Sequence, residues 1–469
     1  MTSRIAIIGG GFSGVMTAAN LARLARQPIR VTIINTQRPT GRGVAYGTRR
    51  TEHLLNVAAR NMSAFPDQPD HFLQWLRTRS DYDAVPTHEL RERFIPRMVY
   101  GDYLLSIAHH YLQTPDGLTS TKVEFREDTV TDIEPNGEMH LQSGGRLTAD
   151  RIVLACGNEI PAALPGAESL TAHPAWVGNP WESWHQRLPA HGGSVVLLGA
   201  GLTTVDAVLT LRALGWHGAI HAISRHGWLP HAHFRGVEYP NFPPAEVDLA
   251  ELGLTKLLAL MEEHCARLRD LGANPAIIVD KMRPHTQRIW QRLSLDDRLT
   301  FASKWAARWN VLRHRIAPEI HAQVTSAQLT GQLEVHAANI VRLEAANTRV
   351  RVHLSDGPPV TGDLVINATG PQSRFSATRS GLLQNLLQRG LITSDDMDMG
   401  VRVAPDHIAI DSTGQYSSLL LALGPLLKGT LWETVAVPEL RGQARRVAET
   451  LLGQPPTLEA EEAVMEYMI

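Results

Sequence analysis

The most constraining feature of this sequence is a glycine-rich turn directly after an apolar run at the N-terminus. Gly9-Gly10-Gly11-Phe12-Ser13-Gly14 follows Arg4-Ile-Ala-Ile-Ile8, whose β-branched content is typical of a buried parallel strand. Helix formers without a breaker occupy residues 15–25, and Arg30-Val-Thr-Ile-Ile34 predicts a second strand. These segments predict a βαβ unit of about thirty residues with the glycines at its first turn.

The glycines of this turn have the spacing Gly-x-Gly-x-x-Gly, in which each has a separate role. The first permits the tight turn, the second lets a pyrophosphate approach the backbone, and the third lets helix and strand pack closely. The phosphates then meet free N–H groups at the helix N-terminus. The position that usually holds a ribose-binding carboxylate is Asn35, whose amide can still hydrogen-bond a hydroxyl. The predicted dinucleotide contacts are Gly9, Gly11, Phe12, Ser13, Gly14 and Asn35.

The same order of elements returns later in the chain and predicts a second dinucleotide site. Ser194-Val-Val-Leu-Leu198 precedes Gly199-Ala-Gly-Leu-Thr203, a helix over 204–214 and a strand over 219–223, with Thr204 in place of the third glycine. Arg225 follows that strand, where a cation would pair with a 2′-phosphate and favour NADPH over NADH. The alternative is a surface arginine at a strand end. The predicted contacts are Gly199, Gly201, Leu202, Thr203, Ser224 and Arg225.

Two further strands end in small-residue turns and help to divide the chain. Arg151-Ile-Val-Leu-Ala155 runs into Cys156-Gly157, and Asp363-Leu-Val-Ile-Asn367 runs into Ala368-Thr369-Gly370. Such turns mark crossings between the two nucleotide-binding parts of flavoproteins, which makes Thr369 and Gly370 candidate cofactor contacts. We therefore predict an α/β fold with two Rossmann-like domains, the second inserted into a discontinuous first. The predicted boundaries are 1–185 and 330–469 for the FAD-binding domain and 186–329 for the NAD(P)H-binding domain, with a helical insertion over about 240–325.

Composition excludes several classes of protein. The 45 basic and 47 acidic side chains give a net charge of −2, so there is no broad cationic surface for nucleic acid. Cys156 and Cys265 are the only cysteines and lie far apart, which predicts neither a disulfide framework nor a Cys-x-x-Cys pair and fits a cytoplasmic location. Glycines interrupt the apolar N-terminal stretch, and no run of roughly eighteen apolar residues occurs, so we expect neither a signal peptide nor a membrane span.

The sequence resembles the bacterial FAD/NAD(P)-binding proteins of the YdhS type, a group related to flavin-dependent N-hydroxylating and Baeyer–Villiger-type monooxygenases. The resemblance covers nearly the whole chain, and its most specific part runs from Gly41 to Trp75. The segments that carry it are Gly41-Arg-Gly-Val-Ala-Tyr46, Leu54-Leu-Asn56, Met62-Ser-Ala-Phe65, Asp70-His-Phe-Leu-Gln-Trp75, Gly199-Ala-Gly-Leu-Thr203, Ser224-Arg-His-Gly227 and Leu423-Gly-Pro-Leu-Leu-Lys-Gly-Thr-Leu-Trp-Glu433.

The resemblance implies a flavoprotein that binds FAD at the first site and NADPH at the second. It implies that Arg42, Gly43, Tyr46, Asn56 and Met62 lie along the flavin, and that the turn from Gly424 to Thr430 approaches the pyrimidine end of its ring. Related flavoproteins carry Gly-Asp near that turn, whereas this chain has Gly424-Pro425, which leaves the ribityl contact open. The implied activity is an NADPH-dependent monooxygenase, with N-hydroxylation as one form of it, that uses molecular oxygen and a C4a-peroxyflavin to oxidise a small molecule.

Two other functions stay open at this point. One is an FAD reductase that passes electrons to an acceptor without oxygen transfer, and the other is a redox sensor or assembly protein that binds the nucleotides without turnover. The Baeyer–Villiger fingerprint has only a partial counterpart at Trp176-Val-Gly178. The sequence identifies no catalytic residue, no substrate and no oligomeric state.

Several conspicuous side chains have ordinary explanations. His231 and His233 have the spacing of a chelating pair on a strand, but no carboxylate or cysteine cluster completes it, so we expect no metal. Cys156 stands where a small buried residue is expected. A second set could line an anionic substrate pocket or simply pack between helices: Arg288, Trp290, Trp305, Trp309 and Arg313.

Overall fold

The computed structural model describes residues 2–36, 40–113, 120–189, 192–234 and 238–457. Its strands, in chain order, are β1 (Ser3–Ile8), β2 (Ile29–Asn35), β3 (Thr121–Glu127), β4 (Val130–Ile133), β5 (Glu138–Leu141), β6 (Arg146–Thr148), β7 (Arg151–Leu154), β8 (Trp176–Val177), β9 (Ser194–Leu198), β10 (Ala219–Ser224), β11 (Leu333–Ala337), β12 (Ile340–Ala346), β13 (Arg349–Leu354), β14 (Val360–Gly362), β15 (Leu364–Asn367), β16 (Ile408–Ile410) and β17 (Tyr416–Ala422).

The helices connect these strands and form one large insertion. In chain order they are α1 (Phe12–Leu24), α2 (Gly43–Tyr46), α3 (His71–Leu76), α4 (Thr87–Glu92), α5 (Arg97–Leu112), α6 (Leu202–Ala213), α7 (Gly253–Asp270), α8 (Ala276–Met282), α9 (Thr286–Arg292), α10 (Leu295–Thr300), α11 (Ala306–Arg313), α12 (Pro318–Leu329), α13 (Gly381–Gln388), α14 (Lys428–Leu431) and α15 (Val437–Leu451).

The first sheet has the order β16-β17-β7-β1-β2-β3, and all its strands are parallel except β16. Its central strand β1 is almost fully buried from Ile5 onward, as expected for a parallel strand covered on both faces. Helix α1 packs against α5 and α15 on one face, while α13 and the β4-β5-β6 sheet cover the other. The C-terminal strand and helix thus complete a layer that the N-terminal βαβ unit begins.

The second sheet repeats this plan with the order β11-β10-β9-β15-β8, entirely parallel. Helices α6 and α12 cover one face, and the antiparallel β12-β13-β14 sheet covers the other. The central β9 is flanked by β10 and β15 just as β1 is flanked by β2 and β7. The two parallel sheets are therefore built on the same plan around β1 and β9.

The structure confirms the predicted α/β fold class, and the sheet pairing differs from both predicted boundaries: β8, which the boundary at 185 assigned to the first domain, pairs with β15 in the second sheet. The predicted βαβ strands and helices occur within about three residues of their predicted ends. However, β11 and β15 pair with β10 and β9 in the second sheet, although the boundary at 330 assigned them to the first domain. By sheet pairing the second unit includes β15 and therefore extends to Asn367. Parallel strands are joined by crossover connections, so a strand of this sheet can lie far along the chain from its neighbour.

Helices α7 to α11 form the insertion that the sequence predicts over about 240–325. They enclose a separate apolar core that includes Phe242, Ile278 and Trp290. A five-residue π-helical segment, Phe301–Trp305, joins α10 to α11. In the part of the chain that the structure describes, no helix is both long and apolar enough to cross a membrane.

Candidate cofactor and active site

The first glycine turn joins β1 to α1 and leaves the helix N-terminus open. Gly9 has φ of +112°, and a Cβ there would lie 2.2 Å from the carbonyl oxygen of Ala155, at the end of β7. A Cβ at Gly14 would lie 1.9 Å from the Gly9 oxygen, whereas one at Gly11 would meet only the Gly43 Cα, at 3.6 Å. The first and third glycines are therefore required by the protein itself, and the second keeps space clear above the turn.

The second turn reproduces these contacts between β9 and α6. Gly199 has φ of +128°, and its Cβ would lie 2.3 Å from the carbonyl oxygen of Ala368, at the end of β15. A Cβ at Gly201 would meet no atom within 4 Å. Thr204 takes the third position and donates its hydroxyl to the Gly199 oxygen at 2.8 Å, so a side chain fits here by hydrogen bonding. A Cβ at the second glycine of either turn would meet no atom closer than 3.6 Å, so both turns keep space at a helix N-terminus, with Gly43 bordering that space only at the first.

Asn35 lies at the end of β2, but its side chain supports the turn. Its Oδ1 accepts a hydrogen bond from the Gly10 N–H at 3.0 Å, and the Gly41 N–H bonds the Gly10 oxygen at 2.6 Å. Gly43 lies against Gly11, while Arg42 donates to the Met98 oxygen at 3.2 Å and pairs with Asp102. The segment after β2 is therefore folded back onto the first glycine turn.

The turn after β17 reaches the same place from the other end of the chain. Gly424 has φ of +77°, and a Cβ there would lie 3.3 Å from the Ser13 hydroxyl. Its N–H donates to Gln443 Oε1 at 2.8 Å, and its oxygen accepts from the Thr434 hydroxyl at 2.8 Å. This buried network fixes the C-terminal turn beside the N-terminus of α1.

A cleft of about 1720 Å³ opens between the two units, and many predicted contacts line it. From the first unit these are Tyr46, Asn56 and Met62, and from the second they are Gly199, Gly201, Leu202, Thr203, Ser224, Arg225, Thr369 and Gly370. The remaining predicted contacts surround the first turn outside this cleft: Gly9, Gly11, Phe12, Ser13, Gly14, Asn35, Arg42, Gly43 and Gly424. Thr430 lies on α14 and is not among the cleft-lining residues.

Arg225 projects into this cleft as an exposed cation. In the described ranges no carboxylate lies within ion-pair distance of it, and Ser224 beside it accepts a hydrogen bond from the Gly227 N–H at 3.1 Å. Next to it, the His226 and Trp228 rings stack with centroids 4.4 Å apart. The end of β10 therefore offers a guanidinium and a flat aromatic surface.

The helical insertion forms one wall of the cleft through a buried charged cluster that sequence reasoning largely missed. Arg283 pairs with Glu439 at 3.0 Å, and Arg313 lies 3.8 Å from Glu433. Burial opposes ionisation of Glu433, but the Arg313 charge lowers the pKa of this carboxyl overall. Trp309 donates its indole N–H to Glu433 at 2.9 Å. The insertion is thus held to the segment that follows the C-terminal turn.

The structure separates the aromatic and basic residues that could have lined a substrate pocket. Trp290 and Trp309 belong to the apolar core of the insertion, and Trp290 donates to the Gly429 oxygen at 2.7 Å. Arg288 pairs with Asp248 near the surface, and Arg313 is the member of the set that lines the cleft. Trp305 is half-buried in the π-helical segment. Helix packing therefore explains most of this set.

A polar link that the sequence did not reveal joins the two units beside the cleft. Arg97, at the start of α5, makes a bidentate pair with Asp206 of α6 at 2.6 and 3.1 Å. His53 lies 2.9 Å from the Thr210 hydroxyl on the same helix, and burial lowers the pKa of this histidine. Asp206 stands inside the second unit's first helix, but its partner precedes it by about a hundred residues and no local pattern connects them.

The histidines and the cysteine near the cleft have defined surroundings. His233 lies 2.7 Å from the Asn56 backbone oxygen, and burial lowers its pKa to about 4. His231 is exposed, so the two histidines do not share one environment. Cys156 is exposed as a residue, although a buried one was expected there; its Sγ lies 4.0 Å from the Ile8 oxygen, and burial of the thiol raises its pKa.

Comparisons with known proteins agree with this architecture. Residues 6–159 match a protein-family model described as FAD-NAD(P)-binding, and no curated protein sequence matches the chain. One similar structure is the ornithine N-hydroxylase of Kutzneria sp. 744 with reduced FAD, NADP+ and L-ornithine, at 13% identity and a TM-score of 0.63, covering 96% of this chain and 99% of that one. Another is L-lysine 6-monooxygenase from Pseudomonas syringae, at 18% identity and a TM-score of 0.63, with 96% and 99% covered.

A third similar structure is the FAD-bound cadaverine monooxygenase from Erwinia amylovora, at 12% identity and a TM-score of 0.61, covering 98% of this chain and 97% of that one. At such identities the likeness establishes a shared fold over nearly the full length of each chain. The two-unit α/β architecture predicted from the doubled βαβ pattern is therefore confirmed, and it is an architecture that known structures combine with FAD and NADP+.

Proposed function

We propose that this protein is an FAD-dependent, NADPH-using monooxygenase that oxidises a small molecule, in the manner of the N-hydroxylating enzymes. The observation that carries the proposal is the pair of similar glycine turns, one in each unit, together with a cleft of about 1720 Å³ between the units. The second turn lines this cleft; the first turn lies outside it, but Tyr46, Asn56 and Met62 of the first unit line it. This arrangement suits hydride transfer from one bound cofactor to the other. Full-length similarity in fold to three N-hydroxylating monooxygenases supports oxygen transfer as the subsequent step.

We assign FAD to the first unit and NADPH to the second. FAD phosphates would meet the N-terminus of α1 above Gly11, with Gly43 and Gly424 closing the turn from either side. The predicted flavin contacts Tyr46, Asn56 and Met62 line the cleft between the two units. NADPH phosphates would meet α6 above Gly201. The Arg225 guanidinium, which has no carboxylate partner among the described residues, suits a 2′-phosphate because it offers charge and parallel N–H donors.

The flavin, when bound, supplies the redox chemistry with NADPH and molecular oxygen, while the protein binds, orients and shields the reactants. The side chains of Leu426 and Trp432 are themselves buried and give one end of the cleft an apolar lining. Lys428 also lines the cleft, where burial lowers the pKa of its ammonium group. These groups surround the volume in which a small substrate would meet the flavin.

The cofactor assignment is tested by two alanine substitutions at equivalent glycines. Gly11→Ala and Gly201→Ala each add a methyl group where the protein has room, so both variants should fold with unchanged thermal midpoints. We expect Gly11→Ala to lose FAD on purification while Gly201→Ala stays yellow and loses NADPH affinity instead, because each methyl group occupies the approach of a pyrophosphate. Equal FAD content and NADPH affinity in both variants would contradict the assignment.

Oxygen transfer is tested separately by following NADPH, oxygen and product together. With small amines such as ornithine, lysine and cadaverine, a monooxygenase should consume NADPH and form hydroxylated product in proportion, and peroxide should fall when the correct amine is present. NADPH oxidation that yields only peroxide or reduced acceptor with every amine tested would identify a reductase. Bound nucleotides without any NADPH oxidation would identify a sensor or assembly protein.

We further propose the finer identity that the first half of the chain suggests. The Gly41 to Trp75 segments support membership of the YdhS type, and the two free cysteines support a cytoplasmic location. The balanced charge argues for a small-molecule substrate and against nucleic acid as a partner.

A further inference from the structure

The edge of the second sheet brings together three side chains that can bind a metal ion. Strands β10 and β11 pair in parallel there, with His221 opposite Glu334 and Ile223 opposite His336. Because side chains alternate along a strand, Glu334 and His336 project from the same face of β11, toward His221. The two histidines lie 115 positions apart in the sequence, so spacing alone gave no sign of this cluster.

The distances within this cluster match the coordination sphere of a small divalent ion. His221 Nδ1 lies 3.1 Å from His336 Nε2 and 3.5 Å from Glu334 Oε2, and His336 Nε2 lies 3.8 Å from Glu334 Oε1. A tetrahedral ion with bonds of about 2.0–2.2 Å to nitrogen and oxygen separates its ligand atoms by roughly 3.3–3.6 Å. The 3.5 Å separation lies within this range, while the 3.1 Å and 3.8 Å separations lie just below and just above it, so rotamer adjustments of a few tenths of an ångström would bring all three into it.

The charges of the cluster also suit a cation. The two facing imidazole nitrogens can share only one proton, and across the described ranges no lysine or arginine lies within ion-pair distance of Glu334. A second group of potential ligands, Asp132, Glu134 and His140, has one histidine and two carboxylates and differs because Arg389 pairs with both carboxylates. The second group already binds a cation, the Arg389 guanidinium. In the first group, the Glu334 carboxylate and the two imidazole nitrogens face one point and can act as metal ligands.

We propose that His221, Glu334 and His336 bind one divalent transition-metal ion of the zinc class, with solvent completing the coordination. Imidazole and carboxylate ligands suit zinc, cobalt and nickel, and three protein ligands leave one position for water. The site is reachable, since the side chains of His221 and His336 are each 22% exposed. The ion would join the edge strand β11 to β10, whose end carries Ser224 and Arg225. This proposal does not depend on the proposed function.

The test is a titration of the full-length, tag-free protein with Co²⁺, followed by calorimetry and by the visible absorption of tetrahedral cobalt. We expect one ion per chain and loss of affinity by at least about tenfold in His336→Gln and in Glu334→Gln, since removing even an outer-shell partner typically has an effect of that size. His140→Gln, in the group already occupied by Arg389, is the matched control and should bind like the parent.

A second measurement separates binding from folding. Zn²⁺ should raise the thermal midpoint of the parent and of His140→Gln, and should leave that of His336→Gln unchanged, because only an ion bound to the native state stabilises it. The proposal is overturned if the parent shows no cobalt band and no heat, or if His336→Gln and His140→Gln bind the ion equally well.

Discussion

The ion pair between Arg97 and Asp206 should contribute strongly to stability, and replacing Asp206 by Asn tests this directly. The two side chains are only 13% and 12% exposed, and the pair is bidentate at 2.6 and 3.1 Å. Asparagine keeps the size of the side chain but leaves the Arg97 guanidinium without a counter-charge. Removing one partner of a buried pair costs about 3–5 kcal/mol, and the residual exposure of this pair places the expected loss near the lower end, at about 3 kcal/mol.

A loss of about 3 kcal/mol lowers the folding equilibrium constant by more than a hundredfold. Urea titration followed by tryptophan fluorescence should therefore show a clear fall in the unfolding midpoint of Asp206→Asn. Asp150→Asn is the matched control: Asp150 pairs with Arg4 at 2.8 Å, but these side chains are 45% and 50% exposed, so solvent screens the pair and its midpoint should barely move.

The double variant Arg97→Met with Asp206→Leu separates the energy of the lost ion pair from the cost of leaving Arg97 buried without a counter-charge. It leaves no buried charge, so it should recover part of the stability that Asp206→Asn loses. Two outcomes would refute the reasoning: equal midpoints for Asp206→Asn and Asp150→Asn, or a double variant less stable than the single one.

Three further predictions concern the turns and the cleft. Gly14→Ala should destabilise the apoprotein by roughly 1–3 kcal/mol or more and so lower its thermal midpoint, because the added Cβ would lie 1.9 Å from the Gly9 oxygen. An unchanged midpoint would contradict this packing. Thr204→Val should cost on the order of 1 kcal/mol in urea unfolding, since it removes the 2.8 Å hydrogen bond to Gly199, while Thr204→Ser should retain the bond. His233→Gln should weaken the dependence of stability on pH below neutrality. A histidine whose pKa is about 4 in the folded state contributes its full stabilisation above its usual pKa of roughly 6.5, and this stabilisation is lost as the pH falls toward 4. Unfolding midpoints of the parent and the variant measured between pH 4 and about 6.5 will show the difference.

The parts of the fold that the sequence predicted are those that depend on local pattern. The run from Arg4 to Ile8 followed by Gly9 specifies strand, turn and helix within one short segment, and the run from Ser194 to Leu198 does the same. The boundary near residue 330 was misplaced because a strand such as β11 looks the same in either sheet, and only its pairing with β10 decides its unit.

The parts of the site that were missed depend on contacts distant in sequence. Arg97 and Asp206 are ordinary charged residues of two helices until packing brings them together, and Glu433 acquires its surroundings from the insertion. Asn35 was correctly placed at the end of the second strand, but its bond to Gly10 follows from the segment folded over the turn. Sequence spacing predicted the positions that the backbone determines, such as the glycines of the turns. It did not show which side chains from distant segments come together.

The near-identity of the two glycine turns has a consequence for how the chain distinguishes its nucleotides. Each turn keeps space for a diphosphate above its second glycine, bordered by Gly43 at Gly11 and open at Gly201, so the glycine pattern alone does not distinguish two dinucleotides. In the proposed assignment selectivity would come from the adenosine end, where β2 finishes in an amide bonded to the Gly10 N–H and β10 is followed by Arg225, which among the described residues has no carboxylate within ion-pair distance. Exchanging those strand ends, rather than the glycines, is the route by which cofactor preference could be moved from one half of the molecule to the other.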